Sequence, residues 1–284
     1  MAPWLYRLMQ ELAAQWPVFR ELAENPFHRY VNRCLLVLAL GGLWPLIRQF
    51  DLRSWGDVGL IGFKQQRINL MRGFLLGFAT LAVVALLALL VGARRWRPGL
   101  TLASFGEHFF SAALAALVVS LLEELLFRGA LFGTFRRFGR VSYAIGLSSA
   151  IYAIVHFFER PPQPEAVSWS SGLITLGLML RGFVDLTALI PGFFNLTLAG
   201  IILALAYHYS GSLYASIGIH AGWIFWLKSY GYFTDDVPGA NEWWWGSTGM
   251  TDGWVAMAAL GLALIFLRKM VISSSTETVR RGTG

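Results

Sequence analysis

Apolar residues fall into eight runs, at about 34–47, 73–92, 106–127, 142–158, 172–190, 193–209, 212–230 and 253–267, with short Arg-bearing stretches between most of them. A membrane-spanning helix needs about 20 apolar residues, so the second and third runs each predict a span. The first and last are short and reach span length only by extending into flanking residues. The run 172–190 contains Arg181 and Asp185, four apart and able to neutralise one another on one helix face. It predicts either a span or a re-entrant, interfacial segment. The expected count is seven or eight crossings, with eight preferred. At the N-terminus, Leu5, Leu8, Leu12, Trp16 and Phe19 recur at helical spacing, while Glu11 and Pro17 break the apolar core that a signal peptide requires. That pattern predicts an amphipathic helix lying on the membrane surface.

Composition agrees with this reading. The chain has 284 residues, 56% hydrophobic and 14% charged, where a soluble domain carries roughly 25% charged residues. The expected fold is all-α, a polytopic transmembrane bundle of about eight spans preceded by the interfacial helix. Residues 1–30 form the amphipathic segment, 31–270 the membrane domain, and 271–284 a polar tail ending in "SSSTETVRRGTG", whose composition predicts disorder. Twelve Trp and nine Tyr suit membrane interfaces. The net charge of +7 comes from Arg residues between apolar runs, where they anchor topology and headgroups, so no nucleic-acid partner is expected. The distribution of positive charge gives a near tie between the two orientations. Only the loop 231–252, with Asp235, Asp236, Glu242 and Asp252, leans outward. A single cysteine, Cys34, excludes an intrachain disulfide framework and a multi-cysteine metal site.

The third run holds the first candidate chemistry. In "SLLEELLFRG", Glu123, Glu124 and Arg128 follow about a dozen uncharged residues, although a charge at the bilayer centre costs roughly 2.5–3.5 kcal/mol even on a lenient scale. Glu124 and Arg128 are four apart, glutamate first, the favourable order for a pair on one face. Glu123 points about 100° away, with no partner in the motif. A helix end with a snorkelling Arg128 would explain one such charge. His156, ending "SSAIYAIVHFF", and His220, in "SLYASIGIHAGWIFW", add ionisable residues inside two further runs, and intramembrane ionisable residues are functional candidates. His108 and His208 lie nearer run ends and read as interfacial.

The order EExxxR, aromatic-xxx-His, then a histidine after a Gly-Ser-Leu turn resembles the CPBP family of intramembrane proteases, which includes CAAX prenyl endopeptidases and relatives linked to bacteriocin processing. The resemblance covers about residues 104–230. Glu123, Glu124 and Arg128 match the first motif; Tyr152 and His156 match the second, with Tyr in place of the usual Phe; "SGSLYASIGIH" leads to His220. The family pattern carries Asn or Asp one turn after the last histidine, where this chain has Ile224. Asn195, on the preceding span, is a substitute by side-chain type.

The resemblance implies hydrolysis of a peptide bond in a membrane-associated protein or peptide by an integral protein of a bacterial or archaeal cytoplasmic membrane. Catalytic roles would fall to Glu123 as general base toward water, to His156 in orienting that water, and to His220 as donor to the oxyanion. Glu124, Arg128, Tyr152 and Asn195 would support them. No cofactor is expected. A zinc ion on Glu123, His156 and His220 is the other reading of these ligand types, although no HExxH is present. A non-catalytic scaffold or immunity protein on the same fold, favoured by Ile224, and a proton-coupled transporter are the alternatives from other classes. No inverted repeat of the usual transporter kind is visible.

Overall fold

The computed structural model describes the chain except for residues 50–53, 184–185, 247–251 and 282–284. Helix dominates, the element whose backbone groups are all satisfied within one segment. In chain order the helices are α1 (Ala2–Gln15), α2 (Arg20–Ala23), α3 (Phe27–Gln49), α4 (Phe63–Leu90), α5 (Leu102–Glu124), α6 (Gly133–Phe138), α7 (Val141–Val155), α8 (Ser171–Met179), α9 (Leu186–Ser210), α10 (Leu213–Phe233), α11 (Glu242–Trp245) and α12 (Trp254–Arg281). A π-helical segment, Leu125–Phe132, joins α5 to α6. Among the described residues the sheet is one antiparallel ribbon, β1 (Arg94–Trp96) paired with β2 (Thr234–Asp236). Three described helices are long and apolar enough to cross a membrane: Phe63–Leu90, His108–Phe138 and Leu189–Ser210. The backbone of α12 stays helical through most of the segment for which composition predicts a disordered tail. A helix nucleated in an apolar stretch adds further residues one at a time.

The chain divides into two compact units. The first contains residues 1–46 and 154–189, and its core is built on Phe27 and Tyr30, both fully buried, with Met179 and Cys34. Leu5, Tyr6 and Met9 of α1 pack on this core, the Tyr6 ring standing edge-on to Phe27 at 5.6 Å and to Tyr30 at 5.2 Å. Trp4, Leu8 and Trp16 stay exposed. The single apolar face read from the sequence is therefore divided, Leu5 turning to the protein core and Leu8 and Trp16 away from it.

The second unit contains residues 47–153 and 190–284. Its centre is the pair α4 and α10, which touch through glycine. Gly73 meets the Ala215 carbonyl, Gly77 the Ile219 carbonyl, Gly218 the Leu70 carbonyl and Gly222 the Phe74 carbonyl, with no room for a Cβ at any of them. The contacts advance together along both chains, so α4 and α10 run parallel, and β1 and β2 clasp their C-terminal ends. α5 runs the opposite way beside α10, with Phe105 against Phe233 and Phe109 against Phe225. In α7 and α9 the order is also reversed: Ala144 clusters with Ala204 and Tyr207, Tyr152 with Ala199 and Ile202. A turn at Gly211, with φ of 67°, then reverses the chain from α9 into α10.

These directions differ from those that eight crossings would give. Eight would set α4, on the second run, antiparallel to α10, on the seventh; they are parallel. α4, α5, α7, α9 and α10 alternate, so the chain leaves α7 and enters α9 at the same end. The run 172–190 is not one continuous helix. It is divided between α8, a 3-10 turn at Leu180–Phe183 and the start of α9. Nine residues of α8 extend about 14 Å, half of the roughly 30 Å hydrocarbon core. Asp185, the expected partner of Arg181, lies outside the described residues.

Candidate active site

The glycines of α10 fix where His220 points. His220 lies two residues from both Gly218 and Gly222, and two residues rotate a helix by about 200°. With the glycine face closed on α4, the imidazole is carried toward α5, where it is 4% exposed. The signal for this packing stands in the sequence as two small-xxx-small motifs, Gly73/Gly77 and Gly218/Gly222, the spacing that brings membrane helices into backbone contact. Sequence reasoning passed over it.

Facing His220 is the end of α5. Glu124 is fully buried and Arg128 nearly so. Arg128 Nη1 donates to Glu124 Oε1 at 3.0 Å, and Nη2 donates to the Gly200 carbonyl at 3.2 Å. The guanidinium carbon lies 4.5 Å from the centre of the Tyr152 ring. Gly200 permits this because a Cβ there would press on Ser149 of α7 at 2.8 Å. Arg128 belongs to the π segment, a geometry that recurs at functional sites, and the glutamate–arginine pair expected from α-helical spacing forms within it.

Glu124 has a second partner that spacing could not reveal. His220 Nδ1 lies 2.9 Å from Glu124 Oε1, across 96 residues of chain. A carboxylate held by Arg128 only accepts, so Nδ1 carries the proton and donates it to Glu124. The other ring nitrogen then faces the chemistry. Nε2 stands 3.8 Å from Glu123 Oε2 and 3.5 Å from the Tyr152 hydroxyl. Glu123 is half-buried, Tyr152 buried. The two adjacent glutamates thus reach opposite nitrogens of one imidazole.

Residues 104–226 match the family described as Rce1-like, type II CAAX prenyl endopeptidase Rce1-like. That segment is similar to the CAAX proteases. No curated protein and no solved structure matches the chain.

The CAAX protease segment contains every residue of the cluster: Glu123, Glu124, Arg128, Tyr152 and His220. The matched segment also contains His156 and Asn195. His156 is exposed, in the turn after α7, and falls in the first unit. Asn195 is buried, and its Nδ2 donates to the Gly253 carbonyl at 2.9 Å. That donor ties α9 to the residue before α12. Ile224, one turn beyond His220, is half-buried. His108 Nε2 meets the Lys228 carbonyl at 3.0 Å, its ring stacked on Tyr232 at 4.2 Å. Among the described residues no group of three or more His, Cys, Asp or Glu is arranged to hold a metal ion, and no step below is routed through one.

Proposed function

We propose that this chain is an intramembrane endopeptidase that cleaves a membrane-associated protein or peptide with a glutamate-activated water. The observation that carries the reading is the placement of His220 between two carboxylates, Nδ1 at 2.9 Å from Glu124 and Nε2 at 3.8 Å from Glu123. Protein interiors do not bury two glutamates, an arginine and a histidine for stability alone, since well-packed apolar residues serve as well or better there. The family match supports the same reaction class.

Glu123 is the general base. With Nδ1 turned to Glu124, Nε2 of His220 lies on the same side as Glu123, and the two groups position the water for attack on a carbonyl carbon. Glu124 fixes the imidazole's tautomer, and Arg128 fixes Glu124. His156 shares the proton in this reading on the strength of the YxxxH motif alone. With α8 adding no crossing, the reading carries seven spans, and α1 lies at the membrane surface.

The test uses purified protein in liposomes with fluorogenic peptides, one set prenylated at a C-terminal CAAX sequence and one set carrying unmodified membrane-anchored leader segments. Wild type cleaves a member of one set, and Glu123→Gln lowers turnover at least about 10²-fold, the usual worth of a positioned base. Equal cleavage by both proteins would falsify the assignment.

A further inference from the structure

The two ends of the second unit carry similar rings and different charges. At one end Phe132, Ala144, Tyr207 and Leu213 cluster, where the π segment and α9 close and α7 and α10 begin. α4 begins there too, Gln66 accepting from Ser212 Oγ at 2.8 Å. At the other end Ala93 and Tyr230 cluster with Leu89 and Trp245, beside the β1–β2 clasp. Tyr143 and Tyr209 are exposed at the first end, Trp96, Trp243 and Trp244 at the second. Amphipathic rings collect at both membrane–water interfaces, so each end suits the headgroup layer.

The cations separate them. Lys64 and Arg67 in the first two turns of α4, Arg136 in α6 and Arg140 just before α7 are exposed. None of the four takes part in an ion pair among the described residues. Asp57, the acid of the adjoining loop, accepts from Ser54 N and Oγ. At the clasp, Arg94 is tied to Asp236 and Arg97 to Asp235. Arg95 and Lys228 share that end with Glu242 and Asp252. Counting Arg and Lys along the sequence weighs the two sides almost equally, whereas the ribbon cancels two cations of one side and leaves the other side charged.

We infer that the end bearing Lys64, Arg67, Arg136 and Arg140 is an interaction surface for anionic phospholipid headgroups, and that it turns this end of the unit toward the cytoplasm. Cations beside a membrane span are drawn to the negative surface potential of the cytoplasmic leaflet. Guanidinium groups bind phosphate oxygens through paired N–H donors, and long basic side chains reach the headgroups while their stems stay against apolar surface. The exposed rings of Tyr143 and Tyr209 beside these cations fit lipid better than an acidic soluble partner. None of the four residues belongs to the site, so the surface is independent of the endopeptidase reading.

The experiment uses the full chain with one added cysteine, Ser142→Cys at the basic end or Pro98→Cys at the clasp end, both exposed positions. Cys34 is buried, so the parent chain is the unlabelled control. A membrane-impermeant maleimide should label Ser142→Cys in inside-out vesicles of the expressing bacterium and Pro98→Cys in right-side-out vesicles. The reverse pattern, or equal labelling from both sides, overturns the orientation. In liposomes, a bimane on Ser142→Cys should be quenched more by spin-labelled phosphatidylglycerol than by spin-labelled phosphatidylcholine, and a bimane on Pro98→Cys equally by both. Each cation changed to Gln should lower the preference by up to about fivefold. Arg136→Gln/Arg140→Gln is therefore informative even if the fourfold variant with Lys64→Gln and Arg67→Gln fails to fold. Raising the salt from about 0.1 M to about 1 M should shrink the preference in the parent chain. Equal quenching by the two lipids at Ser142→Cys overturns the surface. Loss of the preference on adding inorganic phosphate at constant ionic strength also overturns it, because the cations would then hold a free anion and not a headgroup.

Discussion

Arg94 and Arg128 are built alike and used differently. Each is a buried arginine that meets one carboxylate and lies over a tyrosine ring, Tyr230 at 4.9 Å for Arg94 and Tyr152 at 4.5 Å for Arg128. The partners divide them. Asp236 is 56% exposed, whereas Glu124 is 0% exposed and shares its Oε1 with His220. Arg94 also donates to Thr234 Oγ1 at 3.1 Å, within the ribbon that clasps the ends of α4 and α10. Water can take over from Arg94 at Asp236, and nothing but protein can take over from Arg128 at Glu124. The first assembly fastens two helix ends; the second keeps a carboxylate ionised where a histidine must be oriented. A buried charge therefore signals chemistry most strongly when its counter-charge is buried too and holds a third, titratable group.

The largest expected effect tests that division directly. Arg128→Met strands a fully buried carboxylate, and breaking a buried pair from one side costs about 3–5 kcal/mol. Arg94→Met strands a carboxylate already open to water, so less than half that loss is expected. Unfolding of both variants in one detergent, followed by helical signal against denaturant, gives the comparison. Equal losses would show that exposure of the partner does not separate the two sites.

This difference was only half legible in the sequence. The Glu124–Arg128 pair could be read because helical spacing is local, and it is present at 3.0 Å. The bond from His220 to Glu124 could not, because it joins helices 96 residues apart and depends on which face of α10 turns inward. The information fixing that face was present as the paired glycines, unread because attention went to charge. The Arg94 assembly was invisible for a similar reason: it needs α4 and α10 parallel, and the expected eight crossings made them antiparallel. Hydropathy located apolar runs but could not give the direction in which each helix runs. The place of Tyr152 beside His220 also needed the fold, since only the packing of α7 against α9 brings it there.

A smaller effect sharpens the contrast at the carboxylates. Glu124→Gln keeps the shape and removes the charge that both Arg128 and His220 use. Hydrogen bonds to charged groups are worth about 1.5–3 kcal/mol each, so a loss of a few kcal/mol is expected despite the retained contacts. Turnover should fall as well, because a neutral amide can donate to Nδ1 and allow the other tautomer. Asp236→Asn should cost less than Glu124→Gln, because Asp236 is open to water and the Asn oxygen still accepts from Arg94, with turnover unchanged. Melting curves and cleavage rates on the same preparations check both. A turnover loss in Asp236→Asn would mean that the clasp reaches the site.

The smallest expected effect is the response to salt, and it follows from exposure alone. The Debye length falls from about 10 Å at 0.1 M to about 3 Å at 1 M ionic strength, and screening acts on charges that water can reach. Asp236 is reachable, and so are both members of the neighbouring pair Arg97–Asp235, at 40% and 31% exposure. Glu124 and Arg128 are not. A double-mutant cycle on Arg94 and Asp236, run at both salt concentrations, should lose most of a coupling that starts at no more than about 1 kcal/mol. The same cycle on Arg128 and Glu124 should return one coupling energy at both. A salt-sensitive Arg128–Glu124 coupling would mean that solvent and counterions reach the buried pair. Glu124 would then be hydrated, and its hold on His220 Nδ1 would be shared with water.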